Sequence, residues 1–167
     1  MKNLILAFVL LNVLVFNTNA QTNNQEMQFA THQSKKENMD TKNNDAQSFN
    51  EYKEVEKALQ PYITSAGTGD GELSRSTFYD HAHIVGSIDG GFSNMTADEF
   101  GKAVTSGGPS ENVKYHIAWI DISGPAAAAK VEFIDWSGLR FTDFFVLYKK
   151  EGEWKISGKV YDSHSRN

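Results

Sequence analysis

Cysteine is absent from the 167 residues, and proline occurs only three times. The first absence excludes a disulfide framework, so stability has to come from an apolar core. It also excludes a lipoprotein anchor, which needs a cysteine at its cleavage site. The chain has 16 basic residues against 21 acidic ones. That balance lacks the basic stripe of a nucleic-acid binder, so no nucleic-acid partner is expected. Neither a G-x-G-x-x-G run nor a P-loop is present, so Asp89-Gly90-Gly91 reads as a turn into the next strand and not as a phosphate cradle.

Long apolar runs are scarce, with one exception at the start. Lys2 is the only charge in the first twenty residues, Leu4 to Phe16 is nearly all apolar, and the stretch ends on the small residue Ala20. This is the layout of a secretory signal peptide over 1–20, and the run is too short to span a bilayer as an uncleaved helix. Residues 21–48 are rich in Asn, Gln and Lys and hold too few apolar side chains to bury, which predicts a disordered polar linker containing a solvated His32. The expectation is an exported protein, periplasmic or secreted and soluble, with no membrane contact after signal cleavage. Its single domain occupies residues 49–167.

Tyr52, Val55, Leu59, Tyr62 and Ile63 recur at helical spacing, with Asn50 as a cap, Gly67 or Gly69 as a stop and Pro61 predicting a kink or an early end. A short second helix is predicted over Glu72–Asp80, placing His81 at a helix C-terminus, where an imidazolium would interact well with the helix dipole. Thr96-Ala97-Asp98-Glu99 is a capping box that opens a third helix ending at Gly107-Gly108-Pro109. "AHIVGSI", "KYHIAWIDIS", "AAAAKVEFIDW", "LRFTDFFVLYKK" and "WKISGKVYDSH" read as five strands, the last four separated by short turn signals. About three N-terminal helices and an antiparallel sheet make an α+β fold: one curved sheet wrapped on one face by helices.

"FYDHAHIVG", the helix after "MTADEF", "ISGPAAAAKVEF" and "FTDFFVLYKKEGEWKISGKVY", taken in order, resemble the nuclear transport factor 2-like (SnoaL-like) superfamily. Within it they look most like the branch called putative lumazine-binding proteins. The resemblance implies a cystatin-like cone, a bent sheet closed by helices around an apolar pocket, and commonly a dimer. It does not imply one activity, because the superfamily holds isomerases, dehydratases, cyclases and non-catalytic binders.

Strand alternation selects candidate site residues. In the fourth strand Leu139, Phe141, Asp143, Phe145 and Leu147 share a face, which sets a carboxylate among large apolar groups. In the fifth, Trp154, Ile156, Gly158, Val160, Asp162 and His164 share a parity, leaving Lys159 and Tyr161 on the other side. A frayed, solvent-exposed His164 is expected at that chain end.

His81 and His83 share a face on a regular strand, and three readings compete for them. Two histidines at i and i+2 can reach one metal, yet a mononuclear site needs a third ligand and usually a fourth. Asp80, His116 or Asp143 could supply one, but no spacing requires it, so neither metal nor cofactor is expected. The second reading is acid–base work by His83 or His81 with Asp143 as catalytic candidates. The third has one histidine as a pocket hydrogen-bond handle and the other in a structural role, with His83 the more inward. Tyr52, Tyr62, Phe78, Trp119, Phe141 and Phe145, with His83 and Asp143, are the predicted pocket lining for a small apolar or aromatic ligand. The second strand is apolar on both faces, through Trp119 and Tyr115 on one and Ile120 and Ile122 on the other, which fits a homodimer through the sheet. The leading expectation is an exported small-molecule-binding protein without demonstrated catalysis. The alternative is an isomerase, dehydratase or cyclase with a His–Asp pair.

Overall fold

A computed structural model describes residues 27, 28 and 48–164. The chain divides into two compact units, 1–48 and 49–167. The first contributes only the helical residues Met27 and Gln28 and the helical Ser48 to what is described. The expected signal peptide, and the polar linker apart from these three residues, therefore lie outside the described residues.

The second unit opens with helix α1 over residues 49–68. Its buried stripe is Val55, Leu59, Tyr62, Ile63 and Ala66, the face that the helical spacing predicts. The expected kink at Pro61 does not end the helix, which continues through it to residue 68. The ring forfeits the hydrogen bond to the carbonyl of Lys57, which lies on the exposed side of the helix and can be hydrated. Gly69, at φ 71°, then reverses the chain.

Helix α2 spans Gly71–Ser76 and is capped by the Asp70 side chain on the Leu73 amide. It stops well short of Asp80. Phe78–Ile88 is strand β1, because the backbone at Thr77 is claimed by Ile156, whose N–H donates to the Thr77 carbonyl at 2.9 Å. His81 is thus a strand residue and has no helix terminus beside it. A sixth strand, β2 (Gly91–Thr96), follows and pairs antiparallel with β1. The capping box at Thr96 and Glu99 forms as expected and starts helix α3 (Ala97–Gly107), which buries Ala97, Phe100, Gly101 and Val104.

The remaining strands are β3 (Lys114–Ser123), β4 (Ala126–Trp136), β5 (Leu139–Lys150) and β6 (Glu153–His164). They complete one six-stranded sheet in the order β2-β1-β6-β5-β4-β3. Every neighbouring pair is antiparallel except β1 and β6. Those two are joined by the whole intervening chain, and only so long a connection lets strands run side by side in the same direction.

The sheet curves at irregularities in register. On β6 they include Ser157, an extra residue between the pairs Ile156 with Leu147 and Gly158 with Val146. The concave face carries the core: Phe78, Ala82 and Ile84 from β1, Val131 and Phe133 from β4, Phe145 and Leu147 from β5, and Trp154 and Ile156 from β6. The α1 stripe and Phe100 of α3 belong to the same cluster.

Gly86 of β1 marks one close approach. It lies opposite Tyr161, and a Cβ there would collide with the Tyr161 backbone oxygen and ring. Gly86→Ala is expected to cost about 1–3 kcal/mol through overpacking, read as a lower urea midpoint with an unchanged slope.

Candidate functional site

The concave face holds one group of polar side chains where the sequence puts apolar neighbours. Asp143 of β5 is fully buried, flanked along its own strand by the buried Phe145 and the half-buried Phe141. Tyr62, from the middle of α1, donates its hydroxyl to Asp143 Oδ2 at 2.6 Å. Lys159 of β6 donates from Nζ to the Tyr62 oxygen at 2.6 Å and to Asp143 Oδ2 at 3.2 Å. The three heads close a small ring of hydrogen bonds, and the Lys159 and Asp143 side chains are 2% and 0% exposed.

Lys159 reaches this place because of the bulge at Ser157. Before it, Trp154 and Ile156 are buried; after it, Lys159, Tyr161 and Ser163 are, while Val160, Asp162 and His164 are exposed. One extra residue exchanges the two faces of the strand.

Aromatic rings form the rest of the enclosure. The Tyr62 ring stands 5.0 Å from Phe145, 5.8 Å from Trp136, 5.9 Å from Phe100 and 6.0 Å from both Phe78 and Phe133. Lys159 Nζ lies 4.5 Å from the ring centres of Phe100 and Tyr161 and 5.9 Å from that of Trp136. Ring faces attract a cation, most of all when it has lost its water.

Burial pulls the Lys159 ammonium below the usual lysine value, with Asp143 pulling the other way. The Tyr62 phenol is pushed well above its ordinary value, first by burial and then by the neighbouring Asp143 charge and hydrogen bond. Two polar atoms here lack a hydrogen-bond partner among the described residues: Asp143 Oδ1 and the Tyr161 hydroxyl, both shielded from solvent. An unpaired buried polar group costs about 1–3 kcal/mol, so each is poised to accept a partner from elsewhere.

The structure gathers Tyr62, Phe78, Asp143 and Phe145 into this cluster and sets Phe141 against its rim, 5.3 Å from Trp136 and 6.2 Å from Tyr161. It separates the other candidates. His83 alternates with the buried Ala82 and Ile84, so its exposed side chain points to the convex face. There its Nδ1 lies 3.3 Å from Asn94 Oδ1 of β2. His81 is also exposed and stacks on Tyr79 with ring centres 5.4 Å apart.

Neither histidine faces Asp143, and the His–Asp pair is replaced by a Lys–Asp–Tyr cluster. Trp119 is 42% exposed and faces outward opposite Lys130, since the shift in register between Ile117 and Trp119 rotates it away from the core. Tyr52, at 37% exposure, marks the solvent-facing start of α1. His164 is exposed and shares a 2.9 Å contact with the Thr142 hydroxyl. Among the described residues there is no cluster of three or more His, Cys, Asp or Glu side chains that could hold a metal ion.

The convex face carries a row of four apolar side chains and one lysine, Val85, Val160, Phe144, Lys130 and Trp119, each opposite the next across five strands. Val160 is 59% exposed and Phe144 44%, and Lys130 Nζ rests over the Phe144 ring.

Comparison with known proteins agrees with this architecture. The chain is 33% identical to a nuclear transport factor 2-like protein of unknown function from Shewanella baltica OS155, covering 71% of this chain and 97% of that one with a TM-score of 0.67. A second such protein, from Methylobacillus flagellatus KT, is 31% identical, with 70% and 94% covered and a TM-score of 0.65. A curated relative, an aldolase named FrzH from Cladobotryum, is 23% identical over 117 residues, which is 70% of this chain and 94% of that one. Residues 50–162, from the first turn of α1 to near the end of β6, match the family described as "Putative lumazine-binding", and the chain belongs to that family within the nuclear transport factor 2-like superfamily.

Proposed function

We propose that this protein is an exported binding domain for a small, largely apolar molecule, and that Lys159, Asp143 and Tyr62 form the polar end of its site. The observation that carries the reading is the unpartnered Asp143 Oδ1, together with the Tyr161 hydroxyl, inside an aromatic enclosure. Such sites combine apolar walls with a few placed polar groups. A ligand N–H or O–H on Oδ1 and an acceptor for the Tyr161 hydroxyl would satisfy both atoms. The family's description supports a small-molecule ligand. Export rests on the leader-like first twenty residues. A homodimer through the sheet is supported by the exposed Val160, Phe144 and Trp119 of the convex row, since apolar groups of this kind are commonly covered.

Native mass spectrometry of the protein purified from the extracellular or periplasmic fraction tests the whole reading. The expected species is a dimer starting near residue 21 and carrying one small molecule per subunit. A Tyr62→Phe/Asp143→Leu/Lys159→Met triple variant should stay folded and lose that molecule. Retention of the molecule by the folded triple variant would overturn the site.

A second reading, an enzyme acting on a carbonyl compound, is favoured by the buried amine of Lys159 and by the resemblance to an aldolase.

A further inference from the structure

We propose that Lys159 is a catalytic residue that forms a Schiff base with a neutral aldehyde or ketone bearing an apolar substituent, with Tyr62 and Asp143 moving the protons. The proposal rests on the reading of this cluster as the ligand end of the cone, and it adds a covalent step and a substrate class.

The geometry supplies each part of the step. Lys159 and Asp143 start as an ammonium and a carboxylate, with the Tyr62 hydroxyl bonded to both. Transfer of one proton from Nζ to Asp143 leaves a free amine and a carboxylic acid. The amine lone pair forms the C–N bond as the carbonyl π pair moves onto oxygen. A nitrogen proton passes to that oxygen, for which the Tyr62 hydroxyl is the adjacent relay. The Asp143 proton then goes to the new hydroxyl, which leaves as water while nitrogen forms the C=N bond. Ammonium plus carbonyl has become iminium plus water, so atoms balance and Asp143 ends as a carboxylate.

The charge balance defines the substrate. The cluster begins and ends as one cation beside one anion, so a neutral carbonyl compound adds no uncompensated charge to a site shielded from solvent. A carboxylate on the substrate would add one, at a desolvation cost of several kcal/mol. The rings of Phe100, Trp136 and Tyr161 around Nζ suit an apolar or aromatic substituent and a cationic iminium. The unpartnered Asp143 Oδ1 then has a use: it can accept a proton from the carbon next to the iminium, giving the enamine and a carboxylic acid. Burial lowers the hold of Lys159 on its proton, so the free amine, the reactive form, is easier to reach here than at an exposed lysine.

Access is the remaining requirement. Trp136 and Tyr161 are 9% and 5% exposed, and the half-buried Phe141 packs outside both. Phe141 is therefore the outer ring at this end, and its truncation opens a way to Nζ without touching Lys159, Asp143 or Tyr62.

Benzaldehyde and sodium cyanoborohydride, applied to the mature protein and to its Phe141→Ala variant at pH 7, test the step by peptide mapping of the reduced adducts. Lys159 is expected to be labelled roughly tenfold or more faster than the exposed lysines, which are almost wholly protonated at that pH. Phe141→Ala should raise the Lys159 rate further. Benzyl alcohol, which has no carbonyl, should slow labelling at Lys159 and leave the surface lysines unchanged. If both compounds raise the melting temperature but Lys159 stays unlabelled in both proteins, the covalent step is overturned and the binding reading survives. If neither compound shifts the melting temperature and Lys159 stays unlabelled, both fail.

Discussion

Asp143→Ala is expected to lower the unfolding free energy by about 3–5 kcal/mol, because it leaves the Lys159 ammonium buried without an opposite charge. The side chain lost is small, so cavity formation is a minor part of the effect. The larger part is electrostatic: Lys159 is 2% exposed and cannot swing its head into water without breaking the aromatic layer around it. The variant's deficit should therefore depend on pH. With Asp143 gone, the charge and hydrogen bond that hold the Lys159 proton affinity up are removed, while burial still lowers it. Its folded-state value then lies further below the ordinary 10.5 of the unfolded chain. Between those two values the unfolded state binds more protons, so stability rises with pH. Below the folded value both states are protonated and the deficit is complete. Urea unfolding at pH 7 and pH 9.5 should show a smaller gap from wild type at the higher pH. A gap that does not change with pH would mean that Lys159 is not carrying the cost.

The opposite outcome is expected when the whole polar cluster is replaced together. Tyr62→Phe, Asp143→Leu and Lys159→Met, combined, exchange a charged network for apolar groups of similar bulk. Such replacements are commonly neutral or stabilising by about 1–4 kcal/mol. A fold gains little from an ion pair that its core could do without, and this contrast is the physical ground for reading the cluster as functional. The aromatic wall already shields it, and two of its atoms have no partner among the described residues.

How this site emerges from the sequence differs from residue to residue. Asp143 is legible because β5 alternates without interruption from Leu139 to Leu147, so a carboxylate in the apolar register must turn inward. Tyr62 is legible from the 3.6-residue spacing of α1, and the Thr96–Glu99 cap from a pattern four residues long. Lys159 is hidden. Period-2 reading from Trp154 assigns it to solvent, and only the pairing of Leu147 with Ile156 and Val146 with Gly158 reveals the inserted residue that turns it inward. Trp119 is misassigned for the same reason, an irregularity between Ile117 and Trp119. Local pattern finds elements and fails where a neighbouring strand decides the register.

The end of α2 is a similar case: helical spacing runs on past Thr77, but pairing of Phe78 with Ile156 takes the backbone into the sheet. β2, "GFSNMT", offers weak alternation and becomes a strand through β1. His83 is marked in the sequence by residue type and by its i, i+2 spacing with His81. Alternation with Ala82 and Ile84 was the better guide, and it points the imidazole outward.

Tyr62→Ala is the second large effect, at about 3–5 kcal/mol for loss of a buried aromatic ring. This ring meets five others, so its removal leaves a cavity at the point where α1, α3 and the sheet converge. Tyr62→Phe keeps those contacts and removes only the hydroxyl, which takes one donor from Asp143 and one acceptor from Lys159, at about 1–3 kcal/mol. The difference between the two variants in urea unfolding separates packing from polar connection.

Alkaline pH provides a separate check. The folded phenol holds its proton well above the ordinary value of 10.0, whereas an unfolded tyrosine loses it there. The folded state then binds more protons, so stability declines as pH climbs from 10.0 toward the folded value. Tyr62→Phe should remove that part of the decline, and one phenolate absorbance step in wild type should appear only as the protein unfolds. If Tyr62 ionised in the native protein near 10, the buried, hydrogen-bonded cluster would have to be given up. The proton relay proposed for Lys159 would fall with it.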